Sequence, residues 1–268
     1  MINLNKTLEE VKDWAREVGE IQKDNFGKQD LKISSKTTEI DLVTEVDEMS
    51  EKYIIDRIRE RYPEHGILSE EAGKDKENTE YMWIIDPLDG TINYAQGLPI
   101  FAISIALQYK KETVLGVVYL PMLDEMFQAI KGEGAYLNGK RLKVNDRRDL
   151  RYCVLATGFP YDRAEDDDNN VNYFSNFVPK VKGIRRMGAA AYDLANVAAG
   201  RLDGYWELKL SIWDIAAASL MIEEAGGKIK YIPNKREHSI VAGNKDICNK
   251  IYDEINNLSY EEDLTTFS

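Results

Sequence analysis

The sequence predicts a layered, mixed α/β fold of two subdomains, residues 1–145 and 146–268, meeting near residues 140–150. Three observations carry that expectation. Helical and extended patterns interleave along the whole chain, strands crowding the first half and helices alternating with strands in the second. The 268 residues exceed one small domain, and no repeat or flexible linker divides them. A composition of 43% hydrophobic and 31% charged residues suits a chain that buries a sizeable core without disulfide or zinc support.

Each element has its own signal. Leu8, Val11, Ala15, Val18 and Ile21 recur at helical spacing behind Thr7 and Glu10, which read as a capping box, and predict a helix to about Phe26–Gly27. The Thr- and Ser-rich stretch LKISSKTTEIDLVTEVD predicts an extended segment or hairpin. A second helix follows over Thr44–Arg61, with Val46, Met49, Tyr53, Ile54 and Ile58 inward and Pro63 beyond its end. Strands are expected at Ile67–Ser69, Trp83–Asp86, Phe101–Tyr109, Val114–Leu120 and Glu125–Ile130, then a hairpin in GEGAYLNGKRL. Residues 161–170, YDRAEDDDNN, read as a solvated acidic loop. The remainder predicts helix Ala189–Ala199, strand Asp203–Leu208, helix Asp214–Ala225, strands Gly227–Ile232 and Ser239–Ala242, and a closing helix Asn244–Leu258.

Composition also excludes. Two cysteines, Cys153 and Cys248, and two histidines, His65 and His238, leave no material for a Cys/His metal cluster and little for a Ser-His-Asp centre. The apolar stretches Pro99–Leu107 and Ile215–Ile222 are too short to span a bilayer. The N-terminal stretch carries no signal-peptide pattern, so a reducing cytoplasm is the expected compartment. A net charge of −12 argues against a broad nucleic-acid or anionic-membrane footprint. A phosphate substrate remains open if metal ions supply the positive charge.

Several acids stand where such ions would be held. In WIIDPLDGT (83–91) an apolar strand delivers Asp86, and Asp86-Pro-Leu-Asp89-Gly90-Thr91 turns sharply. A helical turn opening at Gly90-Thr91 would present free N–H groups to an anion. Two carboxylates beside an anion cradle make chemical sense when hard divalent cations lie between them. Ile67-Leu68-Ser69-Glu70-Glu71 repeats the pattern of an apolar strand ending in acids, and Asp214 opens a helix after Ile212-Trp213. Asp47 sits on the first turns of the second helix. Taken singly, an Asp-rich turn and a solvated or capping Asp47 are the stronger readings, and an N-cap explains Asp214 as well as a site does.

Together DLVTEVD (41–47), GILSEE (66–71), WIIDPLDGTINY (83–94) and WDIAAASLMIEEAGG (213–227) resemble the inositol monophosphatase family. The resemblance spans most of the chain. It implies a five-layered αβαβα sandwich of the sugar-phosphatase type and a homodimer. It implies Mg²⁺, two or three ions per subunit, with Mn²⁺ as a substitute and Li⁺ and Ca²⁺ as inhibitors. One metal site would use Glu70, Asp86 and the Leu88 carbonyl, and another Asp86, Asp89 and Asp214, with a weaker third near Glu70. Gly90 and Thr91 would hold the phosphate. Thr91 with Asp47 would orient or deprotonate the attacking water, and Glu70 would act through a further water. Gly188, Ala189 and Ala190 would lie near substrate hydroxyls, Glu207 would bind one of them, and Asp89 and Asp214 would border the substrate. The implied reaction is hydrolysis of a phosphorylated polyol or sugar, inositol-1-phosphate first.

Substrate choice is where the chain departs. Inositol-selective relatives often carry a small residue where this chain has Lys209. A cation there would either favour a second negative group on the substrate or face solvent. Arg185 and Arg186 would bind a second phosphate or pair with acids at a subunit contact. Fructose-1,6-bisphosphate and histidinol phosphate are therefore alternative substrates. A regulatory binding protein with vestigial phosphatase activity is the alternative of another class.

Overall fold

Central strands that are apolar on both faces decide how the layers stack. In the computed structural model, residues 2–35, 40–77, 79–233 and 238–265 are described. Helix α1 (Leu4–Asn25) leads to a hairpin of β1 (Ile33–Ser35) and β2 (Leu42–Thr44), then to α2 (Glu45–Arg61). Next come β3 (Gly66–Ser69), β4 (Gly73–Lys74), β5 (Tyr81–Asp89) and the short helix α3 (Thr91–Ala95). Strands β6 (Ala102–Tyr109), β7 (Glu112–Leu120), β8 (Glu125–Ile130), β9 (Gly134–Leu137) and β10 (Lys140–Arg141) follow. The second half runs β11 (Val154–Thr157), α4 (Val171–Phe177), β12 (Gly183–Arg185), α5 (Ala190–Ala198) and β13 (Gly204–Leu210). It ends with α6 (Ile212–Glu224), β14 (Lys228–Tyr231), β15 (His238–Gly243) and α7 (Lys245–Thr265).

The strands form an eight-stranded sheet ordered β10-β9-β8-β7-β6-β5-β3-β4 and a five-stranded sheet ordered β12-β11-β13-β15-β14, beside the small β1–β2 pair. On the larger sheet, Trp83, Ile85 and Val117 point to α1 and α2, where Trp14, Val18, Ile54 and Ile58 meet them. Their neighbours Ile84 and Val118 point the other way, onto Leu194 of α5 and Ala217 and Met221 of α6. The same central helices cover Tyr205 and Ala242 of the smaller sheet. Trp206 and Val241, one residue along, face outward onto Tyr173 and Phe177 of α4 and Ile247 and Ile251 of α7. The result is the five-layered αβαβα order. Trp83 and Trp206 are fully buried, and truncating either to alanine would cost roughly 3–5 kcal/mol.

Small residues let the central layer fit. A Cβ on Gly116 of β7 would lie 2.8 Å from the Ala217 carbonyl oxygen, so sheet and helix backbones touch there. The alanines of α6 serve that closeness.

Four local expectations are corrected. The first helix is capped by the Asn3 side chain, which accepts from the Lys6 N–H, rather than by a Thr7–Glu10 box. Thr7 lies inside the first turn with its hydroxyl on the Asn3 carbonyl, and Glu10 binds Arg61 and Tyr62 of the neighbouring helix. Met49 is exposed, because the inward stripe of α2 runs through Val46, Ser50, Ile54 and Ile58. Helix α6 starts at Ile212, so Asp214 is its third residue and completes a capping box with Ser211. Strands β11 and β12 and helix α4 were not foreseen, being too short for a clear period.

Candidate active site

Strand β5 reaches further than its apolar run. It continues through Pro87 to Asp89, and its register with β6 shifts between Asp86 and Asp89. A proline is accommodated at such an irregularity, where no ladder bond is required of it. Buried Gln22 of α1 holds the turn from below, its Nε2 donating to the Pro87 carbonyl at 2.8 Å. Gly90 then adopts φ 98° and starts α3; a Cβ there would lie 3.0 Å from the Ile100 carbonyl oxygen and 3.1 Å from Ala189 Cβ.

Asp86, Asp89 and Thr91 are carried by this turn, and Glu70 by the end of the adjacent parallel strand β3. Glu51 of α2 fixes the latter: its Oε1 accepts the Glu71 and Ala72 N–H groups, both at 3.0 Å. Asp214 enters from α6 with its Oδ2 accepting the Ser211 N–H at 2.7 Å. All four carboxylates line one cavity of about 390 Å³ with Leu88, Gly90, Thr91, Gly188, Ala189, Ala190 and Glu207. The cavity is lined from the ends of β5 and β13, one strand of each sheet.

Asp47 stands behind that wall. It is fully buried; its Oδ1 accepts the Thr91 hydroxyl at 2.8 Å, and its Oδ2 accepts the Thr44 N–H at 2.9 Å and the Thr44 hydroxyl. One carboxylate thus serves both the capping box with Thr44 and the hydrogen bond that orients the Thr91 hydroxyl. Burial pushes Asp47 up to about 6 against the lowering effect of those hydrogen bonds.

Asp89 has a second connection. Its carboxylate accepts the N–H groups of Ala190, Ala191 and Tyr192 at 2.9, 2.7 and 3.2 Å, capping α5, whose own N-cap is Ala189. The Ala190 N–H is thus already bound to protein. Burial raises Asp89 to about 7 despite these bonds. Asp86 and Asp214 are also pushed well up, first by burial and then by the charges of Glu70 and Asp89, joined for Asp86 by that of Asp214.

The cations lining the cavity, Lys209 and Arg186, face different acids. Lys209 binds Asp162 and Asp166, and Arg186 exerts its charge on Glu207 and Asp193. Glu207, raised by burial to about 7, accepts the Tyr205 hydroxyl. Gly158 leaves space for it; a Cβ there would lie 2.0 Å from Glu207 Oε1. Arg185 is exposed on the edge strand β12 and does not line the cavity.

Among the described residues, no three acidic, histidine or cysteine groups form a ready-made metal cluster. The donor set nevertheless fits a hard divalent cation: oxygen ligands alone, mutually repelling, gathered in one recess.

Sequence reasoning missed the Gly158–Tyr161 wall, which follows the apolar run VLAT as the Asp86 turn follows WII. It also missed the supporting roles of Gln22 and Glu51, which only the tertiary contacts reveal.

The sequence model of the inositol monophosphatase family matches residues 3–260. The chain belongs to this family. It is 43% identical over 239 residues to a Pseudomonas aeruginosa protein named Nus factor SuhB, covering 86% of this chain and 88% of that one. It is 42% identical over 246 residues to a protein of Aquifex aeolicus named fructose-1,6-bisphosphatase/inositol-1-monophosphatase, covering 91% and 93% respectively. The solved inositol monophosphatase of Anabaena superposes with a TM-score of 0.85 at 37% identity, covering 96% of this chain and 97% of that one. The inositol monophosphatase family is a family of phosphatases, and the neighbours share the layered fold described above.

Proposed function

We propose that this chain is a Mg²⁺-dependent phosphomonoesterase whose preferred substrate is a phosphorylated polyol, inositol-1-phosphate in the first instance. The observation that carries the reading is the convergence of Glu70, Asp86, Asp89 and Asp214 on one cavity, with Asp86 and Asp89 buried. Such a group of like charges is stable only when protons or cations offset it. Glu70, Asp86, the Leu88 carbonyl, Asp89 and Asp214 would hold Mg²⁺, which supplies neutralisation of the phosphoryl oxygens, a lowered pKa for the attacking water and stabilisation of the departing alkoxide.

The protein's own groups do the rest. Gly90 and Thr91, at the start of α3, offer N–H groups to the phosphate. Thr91 Oγ1 donates to Asp47, which leaves its lone pairs to accept a proton from water. Asp47, raised toward neutrality, is a base of suitable strength to draw that proton through the Thr91 hydroxyl. Glu207 faces the polyol end, with Gly188 and Ala189 bordering it. Residues 1–145 would then contribute most metal ligands, and residues 146–268 the substrate end with Asp214. We read the protein as a homodimer on the same family grounds.

Fructose-1,6-bisphosphate is the second reading, supported by the name of the Aquifex aeolicus relative and by Arg186 at the cavity. Relatives named Nus factor SuhB leave room for a regulatory binding role, in which a chain of net charge −12 would engage protein more readily than nucleic acid. Phosphate release with Mg²⁺ from inositol-1-phosphate, fructose-1,6-bisphosphate, histidinol phosphate and 3′-phosphoadenosine 5′-phosphate tests the reading. Preference for inositol-1-phosphate supports it. Preference for the bisphosphate moves the assignment to the second reading, and no release from any of the four overturns the enzymatic one.

A further inference from the structure

Lys209 is an unusual residue in an unusual conformation. It lies on β13 two residues past Glu207, where the register with β15 shifts, and has φ 58° in the left-handed region. Lysine has no local reason to adopt that conformation; the Cβ that glycine lacks makes it unfavourable. Its side chain is nonetheless only 9% exposed. Something holds it in.

The partners are plain. Lys209 Nζ donates to both carboxylate oxygens of Asp162, at 2.9 and 3.0 Å, and to Asp166 Oδ2 at 2.9 Å. Both acids belong to the stretch expected to be a solvated loop. That stretch is pinned at its base as well: buried Asn170 donates to the Thr157 hydroxyl at 2.8 Å and the Gly158 carbonyl at 2.5 Å, and accepts the Trp206 indole N–H at 2.6 Å. The excursion from Gly158 to Asn170 is therefore fastened twice to β13, once at Trp206 and once at Lys209. Between the two fastenings, Gly158, Phe159, Pro160 and Tyr161 line the cavity beside Glu207. Phe159 in turn packs on Phe174 of α4, with ring centroids 5.7 Å apart.

We propose that Lys209 is a positioning residue, which by clamping Asp162 and Asp166 holds Gly158–Tyr161 as the wall of the substrate end and gives the site its preference for a singly phosphorylated polyol. This rests on the phosphomonoesterase reading of the cavity. The ammonium is already held by two carboxylates, so it is no receptor for a second phosphate. What the clamp offers the substrate is the wall itself, Gly158–Tyr161, which lines the cavity beside Glu207. Lys209 thus acts on the substrate through the wall rather than by touching it.

The glycine variant separates the clamp from folding. Lys209→Gly relaxes the backbone at φ 58° while deleting the ammonium, so a loss of binding is not explained by backbone strain. Asp162→Asn/Asp166→Asn removes the same ion pairs from the other side. Two quantities are measured on each full-length variant: hydrogen exchange of the amides of residues 158–168, and KM and kcat for inositol-1-phosphate at saturating Mg²⁺. Exchange should quicken in both variants, and KM should rise about threefold to tenfold with kcat changed less. Lys209→Arg should keep the wild-type values. Combining the two variants should add little to either alone, as one interaction is lost.

Unchanged exchange would overturn the clamp, and faster exchange with unchanged KM would overturn the wall. A loss confined to fructose-1,6-bisphosphate in Lys209→Gly would overturn the assignment by showing that the ammonium reads a second phosphate. Should the wild type release no phosphate from any monoester, the phosphomonoesterase reading fails and the substrate claim with it. Exchange alone then decides the clamp.

Discussion

Around Asp86 the cavity wall is made of constrained backbone, a bulged strand end and a glycine in the left-handed region, together with carboxylates that cap helices. Around Glu207 it is made of side chains, with Lys209 spanning to Asp162 and Asp166 and Asn170 tying Gly158 to Trp206. The first region is set by turns that few sequences adopt, and its chemistry is shared by any phosphate ester. The second is set by ion pairs and contacts that single substitutions can alter. It is also where substrates differ from one another. On the proposed reading, catalysis and specificity would be built from materials of unequal tolerance.

The comparison is broken most severely by Gly158→Ala. The new Cβ would lie 2.0 Å from Glu207 Oε1, so the carboxylate must leave the polyol end or the wall must move. KM for the polyol phosphate should rise roughly tenfold or more while Mg²⁺ dependence stays as in the wild type, read from initial rates across both concentrations.

Protons test the Asp86 end next. Asp47 is raised from 3.8 to about 6 and Asp89 from 3.8 to about 7, in both cases chiefly by burial. Between the unfolded and folded pKa values the folded chain binds more protons than the unfolded one. Stability of the metal-free protein should therefore fall as pH rises from about 4 to 7. Mg²⁺ should oppose that fall increasingly toward pH 7, because it competes with the same protons. Thermal midpoints with and without Mg²⁺, taken across this range, check both signs.

Glu51→Gln should have a smaller effect. The amide oxygen still accepts the Glu71 and Ala72 N–H groups but without charge assistance, so Glu70 is held less firmly. The Mg²⁺ concentration at half-maximal rate should rise about threefold with KM for the substrate unaltered. Met49→Gln should change nothing beyond about 0.5 kcal/mol of stability, because the side chain is exposed.

How far the sequence spoke follows the same division. Glu70 and Asp86 at the ends of apolar runs, the Gly90 turn and Asp214 were legible because each depends on local chemistry: an apolar run, a proline, a glycine, a helix start. The family resemblance added the layered fold that local patterns alone leave open. Lys209 was illegible for the opposite reason. Its partners lie 43 and 47 positions away, on a stretch whose composition reads as solvated, and no periodicity records an ion pair across such a gap. Asn170, buried among polar partners at the base of the same stretch, was hidden in the same way. Asp214 shows the limit of local reading: the residue lines the cavity, but as the third residue of α6, paired with Ser211 in a capping box, rather than as the cap itself.

The most direct test of the central claim is phosphate release from inositol-1-phosphate as a function of Mg²⁺, for the wild type and for Asp86→Asn. The buried carboxylate of Asp86 lies among Glu70, Asp89 and Asp214, so its replacement should leave the fold intact while removing the site. The account predicts wild-type release that rises with Mg²⁺ and saturates, and release from the variant below about a tenth of that at saturation. Release that ignores Mg²⁺, or an Asp86→Asn variant that keeps more than that fraction, would contradict it.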